Sequence, residues 1–104
     1  MFVQVINFNL EGMTEDEWHA AGRRLLEDYS QTPGLLAKVW IGNPETNTFG
    51  GIYFWQDEEA LDEFNDGPLG QRIMNHPNYA NVSFNRFRIV DELTKKTQQD
   101  IQVL

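Results

Sequence analysis

Apolar and polar residues alternate over residues 2–10. Phe2, Ile6, Phe8 and Leu10 share one face, and Val3 and Val5 share the other with Asn7 and Asn9. This period of two predicts a strand with the more apolar face at the even positions. Gly12 ends it. Thr14 followed by Glu17 has the spacing of a helical capping box. Glu15 and Asp16 in the first turn suit the positive end of a helix. Trp18, Ala21, Gly22, Leu25, Leu26 and Tyr29 then repeat with a period near 3.6. That predicts a helix with one apolar stripe, Arg23, Arg24, Glu27 and Asp28 facing out, stopped before Pro33-Gly34. Residues 35–42 and 48–56 read as two strands joined by the polar turn Asn43–Asn47. Gly50-Gly51 within the second of them marks a bulge or a close backbone approach. Asp57 caps a second helix that buries Ala60, Leu61 and Phe64, and Gly67-Pro68 breaks it. Leu69 to Asn75 forms a further helical turn ended by Pro77. Residues 79–91 read as the last strand, with Val82, Phe84 and Val90 on one face and Phe87 and Ile89 on the other. The polar tail, residues 92–104, is expected to be partly helical.

Strand, helix, strand, strand, helix, strand is the ferredoxin-like β-α-β-β-α-β order of an α+β fold. It predicts a four-stranded antiparallel sheet with both helices on one face. The middle strands are apolar on both faces. Phe49, Gly51, Tyr53 and Trp55 oppose Ile52 and Phe54; Leu35, Ala37, Val39 and Ile41 oppose Leu36 and Trp40. Two helices cover one face only, and an uncovered face of this kind is adhesive. A homodimer joined through that sheet face is the expectation, most simply by two-fold symmetry.

The length of 104 residues suits a single domain spanning 1–104. The net charge of -8, with scattered basic residues, excludes a phosphate-neutralising stripe. Nucleic acid and anionic membranes are therefore not expected partners. With no cysteine there are no disulfides or thiolate sites. No stretch is long enough to span a bilayer. The opening MFVQVINFNL has no basic n-region or small-residue cleavage site. The expected location is cytoplasmic. Two histidines without paired spacing predict no metal site. No glycine-rich nucleotide loop occurs, and no cofactor is expected.

Pro33-Gly34-Leu35-Leu36, Lys38-Val39-Trp40, Gly50-Gly51-Ile52-Tyr53-Phe54 and Asp57-Glu58 occur in this order. Together they resemble the YdhR family, monooxygenases of the dimeric α+β barrel superfamily. The likeness is strongest from Pro33 to Phe64. It implies a homodimer with sheets packed face to face. It also implies a cofactor-independent monooxygenase of small aromatic or quinol-like substrates. In that chemistry the ligand's own anion passes an electron to dioxygen. The protein need only hold a flat ring, help remove a proton and stabilise the anion.

Asn7, Trp40, Tyr53 and His76 are candidates for catalysis by residue type. Trp18, Trp40, Tyr53, Trp55 and Phe64 are candidates for contact with substrate. Each also has a plainer role. Trp18 sits on the apolar helix stripe, Trp40 and Tyr53 suit dimer packing, and Trp55 suits covering an edge. Asn7 suits a solvated strand, His19 suits solvent, and His76 suits a helix end before Pro77. Lys38 shares the face opposite Val39 and is expected to be exposed or to snorkel. A non-catalytic ligand-binding or stress-related protein of the same fold is the alternative. A second alternative is haem binding or breakdown, as in other relatives of the superfamily. Those relatives use a first-strand Asn, a second-helix Trp and a following His. Asn7 and His76 fit that set by position, but Phe64 stands where the Trp belongs.

Overall fold

The computed structural model describes residues 1–103. The elements are β1 (Phe2–Leu10), α1 (Glu15–Ser30), β2 (Leu35–Asn43), β3 (Thr48–Trp55), α2 (Glu58–Asp66), α3 (Pro68–Met74), β4 (Tyr79–Arg88) and α4 (Asp91–Thr97). The four strands form one antiparallel sheet in the order β2-β3-β1-β4. This is the ferredoxin-like arrangement that the element order predicts.

Alternation along β1 holds: Ile6, Phe8 and Leu10 are buried, with Gln4 buried beside them. The same face carries Phe49, Tyr53 and Trp55 of β3 and packs against Trp18 and Tyr29 of α1 and Leu61 and Phe64 of α2. The buried Gln4 amide nitrogen donates to Asn65 Oδ1 at 2.9 Å, tying β1 to the end of α2, while its Oε1 has no hydrogen-bond partner among the described residues. The α1 start has the predicted capping box. The Thr14 hydroxyl accepts from the Glu17 N–H, and the Glu17 carboxylate accepts from the Thr14 N–H. Asp57 caps α2 by accepting from the Ala60 N–H at 2.9 Å. Pro68 then opens α3, a position where its missing N–H costs nothing.

Several boundaries differ from the sequence pattern for local reasons. A register shift between Leu35 and Ala37 places Leu35 opposite Trp55, on the helix side, rather than with Ala37 and Val39. Leu26, at the rim of the α1 stripe, is 51% exposed. Strand β4 stops at Arg88, and the chain turns into α4 at Asp91, so Val90 lies outside the sheet. The helical part of the tail is α4, and its last residue, Leu104, lies outside the described residues. Trp55 is not an edge cover. It sits on an interior strand and is completely buried. Gly50 and Gly51 lie in unbroken register with both neighbours, so they mark close approach rather than a bulge. A Cβ on Gly50 would stand 1.8 Å from the Ile6 carbonyl oxygen.

Candidate functional site

Between α1, α3 and the sheet lies a small cavity with about 30 Å³ of free space. That is room for one or two waters, not for an aromatic ring. Its walls are aromatic. Trp18 stands edge-on to Trp40 with centroids 5.9 Å apart, and Tyr29 stands edge-on to Trp40 at 5.6 Å. Tyr53 closes the floor, 6.1 Å from Tyr29. On the far side Phe8, Tyr79 and His76 form a three-ring stack, with spacings of 3.8 and 4.0 Å. The His76 Nδ1 accepts the Asn78 N–H at 3.1 Å, so neutral His76 carries its proton on Nε2. Arg72 of α3 also lines the cavity.

Lys38 turns into this cavity. Its Nζ stands 3.5 Å from the ring centroid of Tyr29, 3.4 Å from that of Trp40 and 4.8 Å from that of Tyr53. The expectation of an exposed or snorkelling lysine is corrected here, because Nζ itself lies among the rings, although the predicted strand face is right. Lys38 pairs with Tyr53 and is followed two places on by Trp40, so alternation directs it under α1. Gly51 supplies the space, since a Cβ there would lie 2.9 Å from Lys38 Cε. No carboxylate lines the cavity, and among the described residues Lys38 has no ion pair.

Burial sets the electrostatics. It pushes the phenols of Tyr29, Tyr53 and Tyr79 above their ordinary range. Desolvation lowers Lys38 from 10.5 to about 6. The ring faces oppose that shift, because a cation over an aromatic face gains about 0.5–2 kcal/mol. His76 is lowered by burial first and by the Arg72 charge second. The cavity therefore combines flat walls, phenol hydroxyls, a neutral imidazole and an amine that changes charge within reach of neutral pH.

Of the sequence candidates, Trp18, Trp40, Tyr53 and His76 meet around this cavity. Trp55 and Phe64 pack behind it in the core, Trp55 parallel to Tyr53 at 6.2 Å and 5.1 Å from Phe64. Asn7 lies apart. It occupies the odd face of β1, opposite Gly50 and Ser83, on the side of the sheet that the helices leave open. His19 faces solvent beside Glu15, 3.7 Å away. Lys38, Tyr29, Arg72 and Tyr79 are cavity residues that sequence reasoning did not single out. For Lys38 and Tyr29 the signal was present in the strand phase and the helix stripe; for Arg72 and Tyr79 no sequence signal exists.

Two open grooves flank the cavity, of about 320 and 350 Å³. One runs between α1 and the β2 edge past Trp18 and Leu26; the other lies by Leu35 and Leu36. Trp40 borders both grooves and the cavity, and Lys38 separates the cavity from the second groove.

The chain is thus a ferredoxin-like α+β subunit with an aromatic cavity between its helices and one face of its sheet. The family described as "Putative mono-oxygenase ydhR" matches residues 3–100, and the chain belongs to that family. No curated protein sequence matches it. Solved structures of similar fold include a protein of unknown function from Nitrosomonas europaea. It is 14% identical, with a TM-score of 0.72, covering 86% of this chain and 88% of that one. The cofactor-independent oxygenase SnoaB from Streptomyces nogalater is 16% identical, with a TM-score of 0.68, covering 86% and 92%. The heme-degrader MhuD from Mycobacterium tuberculosis, described with two hemes in its active site, is 16% identical with a TM-score of 0.67, covering 86% and 96%. At these identities the likeness is one of fold. No helix among the described residues is long and apolar enough to cross a membrane.

Proposed function

We propose that this protein is a cofactor-independent monooxygenase of a small, flat, acidic aromatic ligand of anthrone or quinol type, working as a homodimer. The observation that carries this reading is the ring-walled cavity. Trp18, Trp40, Tyr29 and Tyr53 present apolar walls, while His76 supplies a neutral polar group beside them. For an anthrone, loss of a proton gives an enolate that passes an electron to dioxygen. One oxygen atom then replaces the two ring-methylene hydrogens as a carbonyl, and the other leaves as water, so no external reductant enters. The free space of about 30 Å³ requires the walls to part before a ring enters. Trp40 and Lys38 stand between the void and the flanking grooves, so their side-chain rotation joins these spaces.

Oxygen uptake with dithranol, a dihydroxyanthrone, tests the reading. The expected result is one dioxygen consumed per ligand oxidised above the uncatalysed rate, lowered about tenfold by Trp40→Phe through loss of ring positioning. No enzyme-dependent uptake across dithranol and quinols removes the oxygenase reading.

The narrowness of the void favours a second reading, a protein that binds such a ligand without oxidising it. A rise in melting temperature with dithranol under nitrogen, without uptake in air, selects it. Haem chemistry fits the residues poorly. Asn7 faces away from the cavity, Phe64 stands in the core, and His76 already uses Nδ1. The expected result of a haem titration is no stoichiometric Soret shift.

A further inference from the structure

Among the described residues Lys38 is the one lysine that lines the aromatic cavity, and no carboxylate lines it. Around its Nζ stand the rings of Tyr29, Trp40 and Tyr53, the first two within 3.5 Å of their centroids. Burying an amine without a carboxylate is costly if it stays charged and has no other purpose. The other titratable or charged groups of the cavity are Tyr79, His76 and Arg72, and none is an anion at neutral pH. A cavity with a cation, a second potential cation and no anion is built to receive an anion from outside. The rings select one that is flat.

We propose that the Lys38 amine is the proton acceptor for an acidic hydroxyl, phenol or enol, of the flat ligand, and that the ammonium so formed holds the ligand's anion against the aromatic walls. This rests on the cavity being the ligand site and supplies the base that the oxygenase reading lacks for an anthrone bound as its enol tautomer, whose O–H loss gives the same enolate. The ligand O–H bond breaks and its electron pair stays on oxygen. An N–H bond forms from the Nζ lone pair. No electron is transferred in this step and no other reactant takes part. Two features suit Lys38 to it. Desolvation makes the free base accessible near neutral pH, whereas an exposed lysine is almost wholly charged there. Lys38 also borders both the cavity and the outer groove, so rotation about its side-chain bonds carries Nζ to an entering ligand without moving β2.

Para-nitrophenol tests the step directly, because its anion alone absorbs in the visible. In buffer about one unit below its own pKa the free phenol is mostly neutral. Wild-type protein is expected to raise the phenolate band several-fold over that background. Lys38→Met, which keeps the apolar stem, is expected to return it to background. Para-nitroanisole has no proton to give and is expected to quench tryptophan fluorescence equally in both proteins. Lys38→Gln replaces the methionine variant should that one not fold. Absence of the band in wild type, or an equal band in the folded variant, overturns the proposal. With dithranol, Lys38→Met is expected to lower oxygen uptake about a hundredfold at neutral pH and to remove the acid limb of the pH profile. Unchanged uptake in Lys38→Met overturns the base and leaves the oxygenase reading standing. No uptake by wild type, with the Lys38-dependent band present, removes the oxygenase and leaves an acidic-ligand site.

Discussion

Lys38 experiences two opposed forces. Removal from water favours the free amine, while the faces of Tyr29 and Trp40 favour the ammonium. Their balance is measurable without knowing any ligand. The folded protein releases the Lys38 proton at about 6, against 10.5 for an unperturbed lysine. Between those values the unfolded chain binds one more proton than the folded one, so this group makes stability rise with pH. The destabilisation is complete below the lower value and gone above the upper one. Lys38→Met removes it. The melting temperature of the variant is therefore expected to exceed that of wild type most at the acid end of this window, the gap closing as pH approaches 10.5. Paired thermal melts across that range check it. A gap that does not vary with pH means that the rings hold the ammonium as well as water does.

At the scale of elements, the adjacent glycines of β3 make opposite demands. Gly50 is pressed against backbone: a Cβ there would lie 1.8 Å from the Ile6 carbonyl oxygen, and β1 cannot retreat without losing its ladder. Gly51 is pressed against the tip of a flexible side chain, Lys38 Cε at 2.9 Å, and against the Tyr53 ring at 3.0 Å. Gly50→Ala is expected to cost about 3 kcal/mol or more, as severe backbone clashes do. Gly51→Ala is expected to cost about 1 kcal/mol or less and to push Lys38 out of its ring box. Urea unfolding measures the first difference. The second shows as loss of the bound para-nitrophenolate band in a folded protein. Strand phase made much of this legible in advance. The even face of β1, the capping box of α1 and the Asp57 cap all stand where the pattern places them. The same phase put Lys38 on the face of Trp40, yet residue type argued for solvent, and only the space left by Gly51 reverses that. The shift at Leu35 and the approach of α3 to β4 depend on tertiary contacts, so Arg72 and Tyr79 could not be placed from sequence.

For the whole molecule, the helices cover one side of the sheet, and the other side carries Val3 and Val5 of β1, Ile52 and Phe54 of β3, and Val39 of β2. Val39 is 46% exposed, and Phe87, on the same side of β4, is 58% exposed. The apolar part lies towards β2 and β3, while Asn7, Ser83 and Asn85 make the β1–β4 part polar. A two-fold axis across such a face sets apolar against apolar, and a second copy is the one partner always present at matching concentration. Association has to overcome the repulsion between two chains that each carry a net charge of -8. None of the apolar residues named is ionisable, so that repulsion acts through solvent at the rim, where salt screens it over about 8–10 Å at physiological strength. The dimer is thus expected to tighten as salt is added, opposite to an interface held by ion pairs. Mass measured in solution at micromolar concentration should be twice the chain mass of 12.1 kDa. Ile52→Asp puts a charge at the centre of the face and is expected to weaken association by at least about a hundredfold, since a buried unpaired charge costs several kcal/mol. Because Ile52 points away from the helices, the variant should keep the para-nitrophenolate band. A monomeric wild type under those conditions overturns the dimer, and a dimer untouched by Ile52→Asp places the contact elsewhere on the molecule and leaves this face without its partner.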